Sequence, residues 1–119
     1  MKATLKIERV EKPWGYELIW AKTEKYAAKI LHLEKGKRLS YQYHQKKDEA
    51  MFVIAGKLLV ELEGEGGGKT VSHLNSGECL HIPILTRHRL TAIEDSDIFE
   101  VSTPELDDVV RLEDDHGRV

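Results

Sequence analysis

One cysteine in 119 residues, Cys79, leaves no partner for an intrachain disulfide and no pair for a CxxC zinc or redox site. It suits a reducing compartment and is expected to pack within a strand. Long apolar runs are missing too: Met51–Ala55 falls far short of the ~20 residues that span a bilayer. The N-terminal segment from Met1 to Arg9 is interrupted by charge and lacks the apolar stretch of a secretory signal, so a cytoplasmic protein is expected. Nor is there a surplus of positive charge. Eighteen basic residues against 21 acidic ones give a net charge of −3 with no basic tract, which argues against nucleic acid or an anionic membrane as partner.

The length has room for one domain, read here as residues 1–119 with a core over about 10–104 and a C-terminal extension over 105–119. A chain of this size buries roughly two-thirds of its unfolded surface, enough for a core without disulfides or structural metal. Any bound metal is then free to be functional. Segments that hold a 3.6-residue apolar period are scarce, whereas short runs rich in β-branched and aromatic residues recur between turn signals. These predict strands at Tyr16–Ala21, Tyr26–Leu33, Ala50–Ala55, Lys57–Leu62, Thr70–Leu74, Cys79–Ile82, His88–Ile93 and Ile98–Ser102. Gly36, Gly56, the stretch 64–68 and Asn75-Ser76-Gly77 punctuate them. The fold expected is all-β, a jelly roll or barrel. The glycine-rich stretch reads as a hairpin tip, because no Lys-Ser or Lys-Thr pair opens a helix after it. Composition alone makes the acidic tail a solvated end, with a short strand or helical turn at Val109–Leu112.

Between Gly36 and Gly56, the polar residues Gln42, His44 and Glu49 stand at a spacing that suits a ligand set. Residues two apart on a strand share a face, so Gln42 and His44 aim one way while Tyr41 and Tyr43 point away, towards an outer or subunit contact. A turn through Gln45-Lys46-Lys47-Asp48 returns Glu49 beside them. An amide oxygen, an imidazole and a carboxylate suit a divalent Zn, Mn, Fe, Co or Ni. Downstream, Gly77, Pro83 and His88 repeat the device: Pro83 cannot donate to a ladder and ends a strand, and His88 opens the returning one. Five fixed positions match by chance at roughly one in 10⁶ per register.

These paired motifs resemble the signatures of the cupin superfamily. More narrowly, the chain resembles the C-terminal isomerase domain of the bifunctional mannose-1-phosphate guanylyltransferase/mannose-6-phosphate isomerases. The likeness runs from Val10-Glu11-Lys12-Pro13-Trp14-Gly15-Tyr16-Glu17 through Ser40-Tyr41-Gln42-Tyr43-His44, Ile82-Pro83 and His88-Arg89-Leu90. It ends at Asp107-Asp108-Val109-Val110-Arg111-Leu112-Glu113-Asp114 and Gly117-Arg118. The resemblance implies a single-domain cupin that interconverts mannose 6-phosphate and fructose 6-phosphate, with one divalent metal held by Gln42, His44, Glu49 and His88. The metal would polarise the C1 or C2 oxygen while a base moves a proton between the two carbons. Arg111 matches an arginine that stabilises the developing oxyanion, and Lys47 a catalytic or phosphate-orienting arginine; Lys37, Arg38 and Arg89 are candidates for the phosphate or for the rim of the pocket. A homodimer is expected, as cupins commonly pair through their outer sheets. Three features depart from the family pattern: Lys47 stands for arginine, Ala50 for histidine, and Ser102-Thr103-Pro104-Glu105-Leu106 for a glycine-containing loop. The nucleotidyltransferase half is absent, so no guanylyltransferase activity is expected.

Plainer readings stand beside these. His32, His73, His81 and His116 read as ordinary core or surface residues, and Trp14 and Trp20 as packing residues. Gln42 has an alternative as a buried amide in a metal-free cupin, and Glu49 as the partner of Lys46 or Lys47 at the rim. A non-catalytic cupin that binds metal and a sugar, sugar phosphate or nucleotide sugar is the alternative function. An oxygen-activating iron cupin ranks third, having too few histidines.

Overall fold

The computed structural model describes residues 5–64 and 66–119; the start of the N-terminal segment and Glu65 of the glycine-rich tip lie outside the described residues. Eleven strands run in order: β1 Glu8–Lys12, β2 Gly15–Lys22, β3 Ala27–Leu33, β4 Tyr41–Tyr43, β5 Glu49–Ala55, β6 Lys57–Glu63, β7 Lys69–Asn75, β8 Cys79–Ile82, β9 Arg87–Ala92, β10 Ser96–Ser102 and β11 Val110–Glu113. They form a six-stranded sheet in the order β1-β2-β3-β10-β5-β8 and a five-stranded sheet in the order β11-β4-β9-β6-β7. All pairings are antiparallel. This is the jelly roll expected, with each of the eight anticipated strands present to within about two residues. The strand over residues 8–12 was not anticipated, and the ambiguous segment near Val109 resolves as a strand. Among the described residues no helix is long and apolar enough to cross a membrane. Cys79 lies in β8 as expected but is exposed, because the outer face of this edge strand is uncovered.

Strand parity divides the interior into two ends. On inner faces Lys29, Leu31 and Leu33 alternate along β3, Glu49, Met51 and Val53 along β5, His88, Leu90 and Ala92 along β9, and Ser96, Ile98 and Glu100 along β10. The ladders set Lys29 opposite Glu100 and Leu31 opposite Ile98, so like lies beside like. One end is an apolar plug of Leu33, Val53, Leu58, Val60, Ile82, Leu90 and Ile98, each at most 1% exposed. Burying each such side chain contributes about 1.5–3 kcal/mol. The other end is lined by charge.

The outer face of the larger sheet carries an apolar band. Leu18, Ile30, Phe99 and Phe52 face one another from strand to strand, Trp20 tilts against Phe99 at 5.6 Å between ring centroids, and Phe52 is 42% exposed. Tyr41 turns away from the interior and its phenol donates to Glu63 (2.6 Å).

Both glycines bounding the first motif have positive φ, Gly36 at 82° and Gly56 at 99°, but for different needs. A Cβ at Gly36 would meet nothing within 4 Å, whereas at Gly56 it would lie 2.5 Å from the Asp95 carbonyl oxygen and 2.7 Å from the Ser96 Cα. Gly36→Ala is therefore expected to cost about 1 kcal/mol, the left-handed penalty alone. Gly56→Ala should cost about 3 kcal/mol or more, since strain and backbone collision add. Urea unfolding of the two variants measures the difference, and equal losses would contradict the account.

Candidate metal centre

His44 follows β4 directly, His88 is the second residue of β9, and Glu49 opens β5 on the opposite sheet. The structure brings all three together. Their ligand atoms lie within 4.8 Å of one another, and both His44 Nε2 and His88 Nε2 stand 3.3 Å from Glu49 Oε1. All three residues are buried, His88 completely.

Protonation follows from the other ring nitrogens. His44 Nδ1 donates to the Asp108 carbonyl (2.6 Å) and His88 Nδ1 to the Thr86 carbonyl (2.9 Å). A carbonyl only accepts, so in each neutral ring the Nδ1 holds the proton and Nε2 presents a lone pair. Among the described residues those two nitrogens and Glu49 Oε1 are buried without a hydrogen-bond donor, while Oε2 is held by Lys47. Three electron-rich groups thus face a common point with no proton between them, an arrangement that costs energy unless a cation is shared. The 3.3 Å separations match the edge of a tetrahedron built with ~2.0–2.1 Å metal–ligand bonds. The residues fit a divalent ion.

Gln42 sits opposite His88 in the β4–β9 ladder and lines the same cavity. Its Oε1 accepts from the Ser40 hydroxyl (2.7 Å), which leaves one lone pair on that oxygen. Arg111, on β11, stands opposite Gln42 in turn, so Arg111, Gln42 and His88 form one row across the smaller sheet. Arg111 lines the cavity, and its Nε is buried with no partner.

Lys47 reaches the site differently from the expectation of a phosphate-orienting cation. Its ammonium is inserted between Glu49 (2.9 Å to Oε2) and Glu100 (3.5 Å), where both carboxylates claim it. Burial lowers the Lys47 pKa, but Glu100 and Glu49 raise it further, so the ammonium persists. Burial also pushes Glu49 up, yet the Lys47 ammonium at 2.9 Å opposes this and favours the carboxylate, which is held below its usual range. Glu100 is pushed up to about 7 by burial first and by the charge of Glu49 second. The rim pairing of Glu49 with Lys47 considered from sequence exists, but deep inside.

Arg38 and Arg89 are not brought to the cavity. Arg89 is next to inward-facing His88, so parity turns it to the other side of the sheet, where it donates to the carbonyls of Leu39 and Glu113. Arg38 bridges Thr91 on that same side and is held by Asp115 through two bonds of 2.6 and 2.7 Å. Lys37 is exposed and absent from the lining. Among the described residues the cavity, of about 300 Å³, is lined instead by Lys12, Lys22 and Arg118 as further cations and by Glu17, Lys29 and Glu100. Sequence reasoning passed over this last trio, because charged residues alternating with apolar ones read as a solvated face. Of the plainly read residues, Trp14 is buried in the core and borders the cavity. His32 pairs with Asp97 and His81 with Asp48, both outside the cavity.

Residues 2–114 match a protein family described as mannose-6-phosphate isomerase C-terminal. The chain is 38% identical over 116 residues to the mannose-1-phosphate guanylyltransferase ManC of Salmonella typhimurium, a match covering 92% of this chain and 23% of that protein. The chain therefore spans about a quarter of the length of such relatives. Among solved structures, KdgF from Halomonas sp. superposes with a TM-score of 0.71 at 26% identity, over 84% of this chain and 90% of that one. A variant of the oxalate decarboxylase OxdC of Bacillus subtilis reaches 0.78 at 18% identity, over 89% of this chain and 30% of that one, a likeness of cupin fold alone.

The centre leans on the segment before β11. Asp108 supplies the carbonyl that orients His44, and its carboxylate accepts from the backbone N–H groups of Gln45 (3.2 Å), Lys46 (2.6 Å) and Lys47 (2.9 Å). Burial raises the Asp108 pKa, but those N–H groups lower it more. A depressed carboxyl stabilises the fold above its unfolded value of about 3.9 and stops doing so as pH falls through the lower folded value. Asp108→Asn is expected to cost about 1–2 kcal/mol at pH 7 and progressively less below about pH 4. Thermal unfolding from pH 7 to pH 2 measures this, and a gap that widens in acid would contradict it.

Proposed function

The chain belongs to the mannose-6-phosphate isomerase C-terminal family, and we propose that it is a metal-dependent aldose–ketose isomerase that interconverts mannose 6-phosphate and fructose 6-phosphate. The observation that carries this reading is the convergence of the His44, His88 and Glu49 lone pairs beside a cavity that also receives Arg111, whose buried Nε has no partner among the described residues.

His44, Glu49 and His88 would hold the ion, with Gln42 beside His88 as the fourth ligand. Bound there, a divalent ion supplies Lewis-acid polarisation of the C1 or C2 oxygen. The chain's own residues do the rest. Arg111 brings a guanidinium, whose Nε has no partner among the described residues, to the row containing Gln42 and His88, where it meets negative charge growing on the sugar oxygens. Lys47 holds the outer oxygen of Glu49 and so keeps the inner one aimed at the centre. Residues 105–119 form one functional unit with the rest of residues 1–119, since they contribute Arg111 and the Asp108 carbonyl.

The two departures nearest the centre are compatible with activity. Ala50 follows inward-facing Glu49 and projects from the opposite face of the sheet, opposite Val101 and His81, so a histidine there would not enter the cavity. Lysine at 47 keeps the positive charge beside Glu49 and Glu100 but lacks the planar fork.

Protein loaded in turn with Zn, Mn, Fe, Co or Ni should convert mannose 6-phosphate to fructose 6-phosphate in a coupled assay, and a chelator should abolish turnover reversibly. No turnover with any of the five on any hexose phosphate would leave a non-catalytic sugar-binding cupin. Arg111→Gln should keep its metal and lose about 100-fold in kcat. An undiminished kcat would remove Arg111 from the chemistry.

A further inference from the structure

Glu17, Lys29 and Glu100 form a row across the inner face of the larger sheet outside the apolar plug, and only Glu100 touches the support of the metal centre, through Lys47. Lys29 and Glu100 are opposed in the β3–β10 ladder with 3.9 Å between Nζ and Oε2, and Lys29 donates to Glu17 Oε2 at 3.2 Å. The three residues are 7%, 8% and 3% exposed, and all line the cavity. Burying such charges costs several kcal/mol per ion, and apolar residues of similar size commonly serve stability as well or better. The next inward positions on β3 and β10, Leu31 and Ile98, are apolar. Stability alone therefore gives the row little reason to be charged.

Hydrogen-bonding capacity is left over where the row meets the cavity. Among the described residues the Lys29 ammonium has three donors and one hydrogen bond, to Glu17, while buried Glu100 Oε2 has no close donor, the nearer ammonium, that of Lys47, standing 3.5 Å away. At 3.9 Å, Nζ and Oε2 are too far apart to satisfy each other. A hydroxyl seated about 2.8 Å from both would accept from the ammonium and donate to the carboxylate. Hydroxyl groups are the chemistry that uses a donor and an acceptor so placed; a phosphate would be repelled by the two carboxylates, and an apolar ligand would leave both unsatisfied. The row faces the smaller sheet, which carries Gln42, His88 and Arg111. A sugar between the sheets would present one face to the metal centre and hydroxyls to the row.

We propose that Glu17, Lys29 and Glu100 form a polyol-reading wall that determines which hexose epimer the cavity accepts. The proposal rests on the sugar-phosphate reading above and assigns the wall to the hydroxyls, leaving the phosphate to other residues. A site built to pair with a hydroxyl discriminates sharply against an analogue that misplaces it, because its own buried groups are then stranded.

The test is calorimetric titration of metal-loaded wild type, Lys29→Met and Lys29→Arg with mannose 6-phosphate, its C2 epimer glucose 6-phosphate, and inorganic phosphate, with metal content measured alongside. In Lys29→Met the Kd for mannose 6-phosphate should rise at least about 10-fold and the preference between epimers should collapse towards unity. Phosphate affinity and metal content should stay unchanged, and Lys29→Arg should recover part of the preference. If Lys29→Met does not fold, Glu17→Gln, nearly the same shape, should narrow the epimer preference in the same direction. Lower stability with wild-type Kd and epimer preference would overturn the proposal, as would a wild type with no affinity for either hexose phosphate. Epimer-selective binding without turnover would sink the isomerase reading and keep the wall. Turnover by Lys29→Met with wild-type KM and preference would do the reverse.

Discussion

Two imidazole nitrogens and a carboxylate, all buried and all presenting electron pairs to one another, are the constraint around which this domain is organised. Unpaired groups of this kind cost several kcal/mol in a low-dielectric interior, and removing a partner from such a cluster is worse than never having built it. The scaffold maintains the arrangement from both sides. The Asp108 carbonyl fixes one ring from the segment leading into β11, and the Thr86 carbonyl fixes the other from the turn between β8 and β9. That turn places Leu85 at φ 64°, an uncommon conformation for a bulky residue, while its N–H donates to the His44 carbonyl (2.8 Å). The strained turn thus touches both histidines, one through each neighbouring carbonyl.

The same constraint accounts for an inverted polarity in the larger sheet. Its inner face must be polar where it adjoins the centre, so Glu17, Lys29, Glu49 and Glu100 point inward while Leu18, Ile30, Phe52 and Phe99 point outward. The apolar plug at the far end of the same strands then carries most of the hydrophobic stabilisation. A small barrel can keep one charged end only because its other end is fully dry.

This division also explains what the sequence disclosed. Glycine punctuation and β-branched runs made most strands legible, and residue spacing put His44, Glu49 and His88 on converging strands. Strands β1 and β11 were harder, being short, charged and at sheet edges, where alternation carries little information. Tyr16-Glu17-Leu18 and Lys29-Ile30-Leu31 read naturally as charge outside and apolar inside; the structure reverses this for the charged members because a cavity, not solvent, lies on their side. Arg89 lies outside the cavity by parity, a relation visible in sequence once His88 is accepted as facing inward, whereas the placement of Arg38 depends on its bridge to Thr91 and its pairing with Asp115. The trapping of Lys47 was not legible, since it depends on Glu100, more than fifty residues away.

The two sheets divide the electrostatic work under the proposed function. The smaller supplies Gln42, His44 and His88 together with the guanidinium of Arg111, while the larger sheet and the turn before β5 supply alternating charges from Glu17 through Lys29, Glu100 and Lys47 to Glu49. That chain of alternating charge is nearly self-neutralising, with at most a single negative charge in excess, because burial raises the Glu100 pKa to about 7. A divalent ion and Arg111 would more than cancel it, leaving a field of positive sign at the base of the cavity. Such a field favours an anionic substrate over a neutral sugar of the same shape, while the near-neutral wall leaves recognition of the sugar's hydroxyls to local geometry rather than to charge.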